Sequence, residues 1–113
     1  MNYYGLDKSE NYTEIIIIPP RFDTNAAPFV KAEITRLFSD EKTNVLVSLN
    51  NAKYCDSSAL SALLLGHRLS TANNKKFIIY GLNETILNLI RISKLDTVLK
   101  ITENKDEALE LLK

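Results

Sequence analysis

Strand-like and helix-like segments alternate four times along this chain, and this order constrains the fold more than any other feature. The apolar segments predicted as strands are residues 13–18, 45–49, 77–80 and 98–101, and residues 1–6 could add an edge strand through a turn at 7–10. Apolar residues at helical spacing follow each of the four. Such alternation is typical of a largely parallel sheet. We therefore expect an α/β fold with a mostly parallel, mixed sheet of four to five strands and about four helices.

Residues that can cap a helix predict where the helices begin. Asn83 is a good N-cap, and Asn104 followed three residues later by Glu107 resembles a capping box. Thr24 or Asn25 can cap the first helix in the same way. The second helix is expected to begin near residue 57 and to end near residue 72. The residues just before these starts are predicted to lie in loops.

Length, charge and cysteine content exclude several classes of protein. With 113 residues, the chain is expected to form a single domain spanning residues 1–113. Its 14 Lys and Arg balance 14 Asp and Glu, and no basic run is interleaved with aromatics, so nucleic-acid binding is not expected. The longest apolar run, residues 15–20, is far shorter than the ~20 residues of a membrane span. A single cysteine and the lack of a signal-peptide pattern favour a cytoplasmic protein, expected as a monomer or weak dimer.

The loop before the second helix carries the residues that most suggest a function. Asp56, Ser57 and Ser58 lie between an apolar strand and an apolar helix, and sites in open α/β sheets gather at the carboxyl ends of strands. A helix N-terminus tolerates an anion, so a phosphate on Ser57 would be accepted locally. Asp and Ser are also ordinary N-caps, which contribute about 1 kcal/mol. One cap suffices, however, so three such residues in a row leave a hydroxyl free for modification.

The chain offers little for catalysis or for binding a cofactor. Cys55 and His67 lie twelve positions apart without a third group to orient them, and His67 is the only histidine. We interpret Cys55 as a small buried apolar residue and His67 as a residue at the edge of the core. Neither common glycine-rich nucleotide-binding pattern occurs. We therefore expect no catalytic residues, no metal, no cofactor and no enzymatic activity.

Strand residues 45–50, the Asp56-Ser57-Ser58 loop and the following helix together resemble the STAS domains of bacterial anti-sigma factor antagonists. The similarity runs from about residue 13 to residue 112. In that family the hydroxyl directly after the aspartate is phosphorylated, and this position is Ser57 here. Asp23 matches the aspartate that follows the family's second strand. The resemblance implies that Asp23, Asp56, Ser57, Ser58 and Ala59 contact a partner.

Two positions depart from the family pattern. Ala59 stands where the family usually has a glycine, so a methyl group could hinder a partner that approaches the backbone closely. Pro19 and Pro20 replace a step that usually contains glycine, which stiffens the loop and could shift Asp23. Neither change affects Asp56 or Ser57.

The resemblance implies a switch between protein partners. The unphosphorylated domain would bind an anti-sigma factor that is also a serine kinase, which would release a sigma factor and so regulate transcription. Phosphorylation would end this association, and a PPM-type phosphatase would restore it. Because the kinase would supply ATP and magnesium, this chain would need no cofactor.

Two other functions stay open at this point. The domain could serve as a STAS scaffold or as the regulatory subunit of a transporter or signalling complex, and Ser57 would then be no more than a cap. An enzyme using Cys55 or Asp56 would need a pocket and a base, and the sequence supplies neither a base nor a phosphate-binding loop. Substitution of Ser57 by aspartate separates switch from scaffold, because only the switch would respond to the added charge.

Overall fold

Seven strands and four helices make up residues 2–113, the part of the chain that the computed structural model describes. The strands are β1 Tyr4–Lys8, β2 Tyr12–Ile17, β3 Arg21–Phe22, β4 Asn44–Ser48, β5 Tyr54–Cys55, β6 Phe77–Tyr80 and β7 Lys100–Thr102. The helices are α1 Ala27–Arg36, α2 Ser57–Ala72, α3 Glu84–Ile92 and α4 Lys105–Leu111. A π-helical turn at Leu37–Glu41 extends α1, and a 3-10 turn at Leu95–Thr97 follows α3.

Five of the strands form one sheet in the order β1-β2-β4-β6-β7. β1 runs antiparallel to β2, and the other neighbours are parallel. This mostly parallel, mixed sheet with its four helices confirms the predicted fold class. Met1, the first residue of the predicted edge strand, lies outside the described residues. The last strand begins at Lys100, later than predicted, because the 3-10 turn occupies the chain just before it.

The sheet has one face covered by α1, α2 and α3 and a second face covered by α4. Side chains alternate along each strand, so β4 directs Val45 and Val47 into the larger core and Leu46 into the smaller one. Gly66 of α2 lies so close to β6 that an added Cβ would be 2.3 Å from Cζ of Phe77. Only a residue without a side chain lets the Phe77 ring pack this tightly against α2.

Side-chain caps begin three of the four helices, as the sequence predicts. Asp56, Asn83 and Asn104 accept hydrogen bonds from the backbone amides three residues later, at 3.1, 2.9 and 2.9 Å. Glu107 Oε1 in turn accepts a hydrogen bond from the amide of Glu103 at 3.2 Å. The predicted capping box therefore forms, with its return bond one residue before the cap.

The first helix begins differently. The predicted cap at Thr24 or Asn25 is wrong, since α1 begins at Ala27 and no side chain within residues 2–113 caps it. Instead, the carbonyl of Asp23 accepts hydrogen bonds from the amides of Ala26 and Ala27 at 3.0 and 2.8 Å. The hydroxyl of Thr24 is used elsewhere, because it donates to a residue of another loop.

The two remaining strands, β3 and β5, pair in parallel as a separate two-stranded sheet. Phe22 and Cys55 of this pair are buried, and the guanidinium carbon of Arg21 lies 4.4 Å from the centre of the Tyr54 ring. The carbonyl of Pro20 also accepts a hydrogen bond from the Tyr54 amide at 3.1 Å. Because two residues cannot show a strand periodicity, the sequence does not predict this pair. It holds the loop after β2 beside the loop after β4.

A buried polar cluster attaches α4 to the second face of the sheet. Glu14 of β2 is only 3% exposed, and its carboxylate accepts a hydrogen bond from the Tyr80 hydroxyl and pairs with the Lys105 ammonium at 2.8 Å. Burial, together with the hydrogen bond to Glu14, raises the pKa of Tyr80, so the phenol stays protonated and can donate. The buried charge of Glu14 is thus matched by partners on β6 and α4.

We expect Tyr80→Phe to lower the free energy of unfolding by about 1–3 kcal/mol, because one oxygen of a buried carboxylate loses its donor. Tyr12→Phe is the matched control, since it keeps the ring over which Lys105 Nζ lies at 5.8 Å. That control should change the free energy by less than about 0.5 kcal/mol. Denaturant titration at pH 7 measures the stability of both variants. Equal stability of Tyr80→Phe and wild type would contradict a structural role for the Tyr80 hydroxyl.

Candidate functional site

Asp56 fixes the start of α2. Its backbone is extended, with φ −112° and ψ −173°, and its Oδ1 accepts a hydrogen bond from the Ala59 amide at 3.1 Å. Helix α2 therefore begins at Ser57, where the sequence predicts it. The two serines of the loop become the first two residues of the helix, at the end that carries partial positive charge.

The second carboxylate oxygen of Asp56 reaches across to the loop before α1. Oδ2 accepts hydrogen bonds from both the backbone amide and the hydroxyl of Thr24, each at 3.1 Å. Partial burial would raise the pKa of Asp56, but the hydrogen bonds from Ala59, Thr24 and Ser58 outweigh it and hold that pKa below the ordinary value of 3.8. Asp56 is therefore a carboxylate at neutral pH, and it joins the two loops.

The two serines of the loop lie in different surroundings. Ser58 is half-buried, and its hydroxyl shares an exposed hydrogen bond with the Thr24 hydroxyl at 3.1 Å. Ser57 is exposed, and its hydroxyl makes no hydrogen bond to any of the residues 2–113. Of these two hydroxyls, the one that is free for a reaction is that of Ser57.

Asp23 lies in the same region but is held separately. Its Oδ1 accepts a hydrogen bond from the Asn25 amide at 3.0 Å, and its Oδ2 lies 3.6 Å from Nε of Arg21. The structure thus brings the loop of Asp23 beside Asp56, with Thr24 as the residue that connects them. From its position in the sequence, Thr24 is predicted only as a possible helix cap. The signal that could have identified its role is a hydroxyl next to Asp23, at the same edge of the sheet.

Ala59 does not belong to this exposed group. It has no exposed surface, and it packs within the larger core. A methyl group in that position cannot meet a partner on the surface of the domain. We therefore leave Ala59 out of the candidate contact surface, which retains Asp23, Asp56, Ser57 and Ser58.

An apolar groove of about 530 Å³ lies beside Ser57, between the start of α2 and helix α3. Tyr54, Leu60, Leu89 and Ile92 contribute apolar side chains to it, and Ser57 is part of its wall. Ile92 is 79% exposed, and Tyr54 is 40% exposed. Neighbouring apolar side chains in contact with water are typical of a surface that binds another molecule. Ser57 thus borders a surface suited to binding another molecule.

The residues that could have suggested catalysis are not arranged for it. Cys55 is buried, and burial, followed by the nearby charge of Asp56, raises the pKa of its thiol to about 12. A thiol in this state is a poor nucleophile at neutral pH. His67 is half-buried on α2, and its carbonyl accepts hydrogen bonds from the Ser70 and Thr71 hydroxyls. These observations agree with the interpretation of Cys55 as a buried apolar residue.

The described part of the chain holds neither a metal-binding cluster nor a membrane-spanning helix. Within residues 2–113, no group of three His, Cys, Asp or Glu side chains is arranged to hold a metal ion. None of the helices described above is both long and apolar enough to cross a bilayer.

Several solved structures share this fold. An anti-sigma factor antagonist from Mycobacterium paratuberculosis superposes with a TM-score of 0.84 at 15% identity, over 96% of this chain and 92% of that one. The Bacillus cell fate determinant SpoIIAA in its phosphorylated form gives a TM-score of 0.74 at 16% identity, over 97% of this chain and 99% of that one. At such identities the similarity shows the fold alone.

The same fold also occurs within a much larger protein. The murine anion transporter Solute Carrier 26 family member A9 matches with a TM-score of 0.71 at 8% identity, over 94% of this chain and 18% of the transporter. The sequence itself matches the profile of the STAS domain over residues 9–108. Because this match covers most of the 113 residues, the chain belongs to the STAS domain family.

Proposed function

We propose that this chain is an anti-sigma factor antagonist whose binding is switched by phosphorylation of Ser57. In its unphosphorylated form it binds an anti-sigma factor that is also a serine kinase, and it thereby frees a sigma factor for transcription. The observation that carries the proposal is that Ser57, directly after the helix cap Asp56, is exposed and its hydroxyl makes no hydrogen bond within residues 2–113. The family membership supports it, since solved members with this fold include a phosphorylated one.

Electrostatics gives a physical reason for release of the partner. A phosphate on Ser57 adds about −1.5 to −2 charges beside the Asp56 carboxylate, which is already negative. It also places this charge at the wall of an apolar groove. A partner that covers the groove would have to desolvate the phosphate, and this costs free energy. Binding therefore weakens while the fold persists, because an anion near a helix N-terminus is tolerated.

The remaining components of the switch belong to other proteins. The kinase supplies ATP and magnesium, and a PPM-type phosphatase in the cytoplasm removes the phosphate and restores binding. The chain itself needs no cofactor for this function.

The alternative function, a STAS scaffold or regulatory subunit that is not phosphorylated, gives the Ser57 hydroxyl no role. We therefore favour the switch.

Ser57→Asp should weaken partner binding at least about tenfold, since a fixed negative charge enters the contact surface, and the melting temperature should change little. The measurement is affinity purification from the cells that naturally express the chain, followed by mass spectrometry of the bound proteins. We expect a serine-kinase-type anti-sigma factor on the wild type and much less of it on Ser57→Asp.

Ser57→Ala is the matched control for this experiment. It removes the acceptor without adding charge, so the partner should be retained and phosphopeptide mapping should find no phosphate at position 57. A partner that binds wild type and Ser57→Asp equally well would contradict the switch and support the scaffold.

We expect Asp56→Ala to lower the free energy of unfolding by about 0.5–2 kcal/mol at pH 7, because α2 loses its cap. The folded-state pKa of Asp56 lies below its ordinary value of 3.8, so the carboxylate stabilises the fold fully above about pH 4. This stabilisation is lost as the pH falls through the folded-state pKa. The difference in denaturant midpoint between wild type and variant should therefore be larger at pH 7 than at acidic pH, where Asp56 becomes protonated, and a difference that does not change with pH would contradict the charge-dependent role.

We expect Ala59→Gly to lower the free energy of unfolding by about 1–2 kcal/mol, since it removes a buried methyl group and adds a flexible residue to the first turn of α2. Partner affinity should stay unchanged, because Ala59 has no exposed surface. Denaturant titration and an affinity measurement on the same preparation check both statements. A clear gain in affinity would place Ala59 in the interface after all.

A further inference from the structure

Thr24 occupies a position between the two functional loops that the switch does not by itself explain. Its hydroxyl lies 3.1 Å from Oδ2 of Asp56 and 3.1 Å from the Ser58 hydroxyl. Its backbone amide donates to the same Asp56 oxygen at 3.1 Å. The side chain therefore bridges the acid and one serine of the loop before α2, and it leaves the other serine untouched.

The bridge distinguishes two neighbouring hydroxyls that are chemically identical. Both are carried by the first turn of α2, directly after Asp56 in the sequence. Within residues 2–113, the Ser58 hydroxyl has a side-chain partner and that of Ser57 has none, and Ser58 is half-buried whereas Ser57 is exposed. Sequence alone cannot make this distinction, because the partner of Ser58 is 34 positions away in the chain.

We propose that Thr24 is a positioning residue that determines which serine receives the phosphate, by engaging the Ser58 hydroxyl and leaving that of Ser57 free. This inference rests on the proposed function. In the transfer step, the serine oxygen bonds to the γ-phosphorus of ATP while the bond from that phosphorus to ADP breaks. The hydroxyl proton passes to a base of the kinase.

Phosphoryl transfer needs a hydroxyl whose oxygen and proton are both accessible. The oxygen must face the phosphorus in line with the leaving group, and the proton must face the base. Ser58 can meet these conditions only by giving up its hydrogen bond to Thr24. Ser57 meets them without breaking a hydrogen bond to any described residue.

The test compares Thr24→Val with Thr24→Ser. Valine has nearly the same shape as threonine and keeps the backbone amide bond to Asp56, but it removes the hydroxyl that engages Ser58. Serine keeps that hydroxyl. Wild type and variants are incubated with ATP and an extract of the cells that express the chain, and phosphopeptides are quantified. In Thr24→Val the ratio of phosphate on Ser58 to phosphate on Ser57 should rise about fivefold, the factor that one hydrogen bond represents. Thr24→Ser should match the wild type.

A second measurement does not depend on the kinase. The second measurement is a double-mutant cycle of Thr24→Val with Ser58→Ala. If the two side chains interact, the change in the unfolding equilibrium constant of the double variant should differ about fivefold from the product of the two single changes. The parallel cycle with Ser57→Ala should show no deviation. If the effects of Thr24→Val and Ser58→Ala simply multiply, the inference is overturned, because Thr24 would then not engage Ser58 in solution.

The outcomes separate this inference from the function on which it rests. Phosphate on Ser57 in the wild type with an unchanged ratio in Thr24→Val overturns the role of Thr24 and leaves the switch intact. An extract that phosphorylates neither serine in any variant overturns the proposed function and this inference with it. A changed ratio in Thr24→Val that Thr24→Ser restores supports both.

Discussion

The hydrogen bonds to the Asp56 carboxylate are the interaction on which the candidate site depends. One oxygen caps α2 through Ala59, and the other accepts two hydrogen bonds from Thr24. A carboxylate only accepts hydrogen bonds, so each oxygen must find donors, and here the donors belong to different loops. The same group therefore sets where α2 begins and how far apart the loops lie. The directions of Ser57 and Ser58 follow from these two constraints.

The scaffold beneath the site is held together in two different ways. On the face that carries α1, α2 and α3, apolar burial dominates, and Gly66 allows α2 to approach the Phe77 ring closely. On the opposite face, α4 contributes Ala108 to the smaller apolar cluster and is also attached through the ion pair of Lys105 with Glu14. Burial of apolar groups tolerates small shifts, whereas a buried charge demands its partners in place. The ion pair with Glu14 thus adds a directional constraint to the apolar packing of α4.

Periodicity explains what the sequence could predict. The strands of the large sheet and the helices repeat their apolar residues often enough to be recognised, and Asp56, Asn83 and Asn104 are local caps whose donors lie three residues away. The β3–β5 pair, the π-helical turn and the role of Thr24 depend on contacts between distant segments or on too few residues to show a period. The same limit explains why the sequence around Thr24 predicts only a helix cap there.

The parallel β3–β5 pair limits how the two loops that it joins can change during evolution or be transplanted between domains. Arg21 stacks on Tyr54, and Pro20 accepts a hydrogen bond from the Tyr54 amide, so the two loops share one small framework. A graft of residues 50–58 alone into a related domain would carry the acid and the serines but not the framework that orients them. The inheritable unit is the pair of loops, and substitutions in one constrain those accepted in the other.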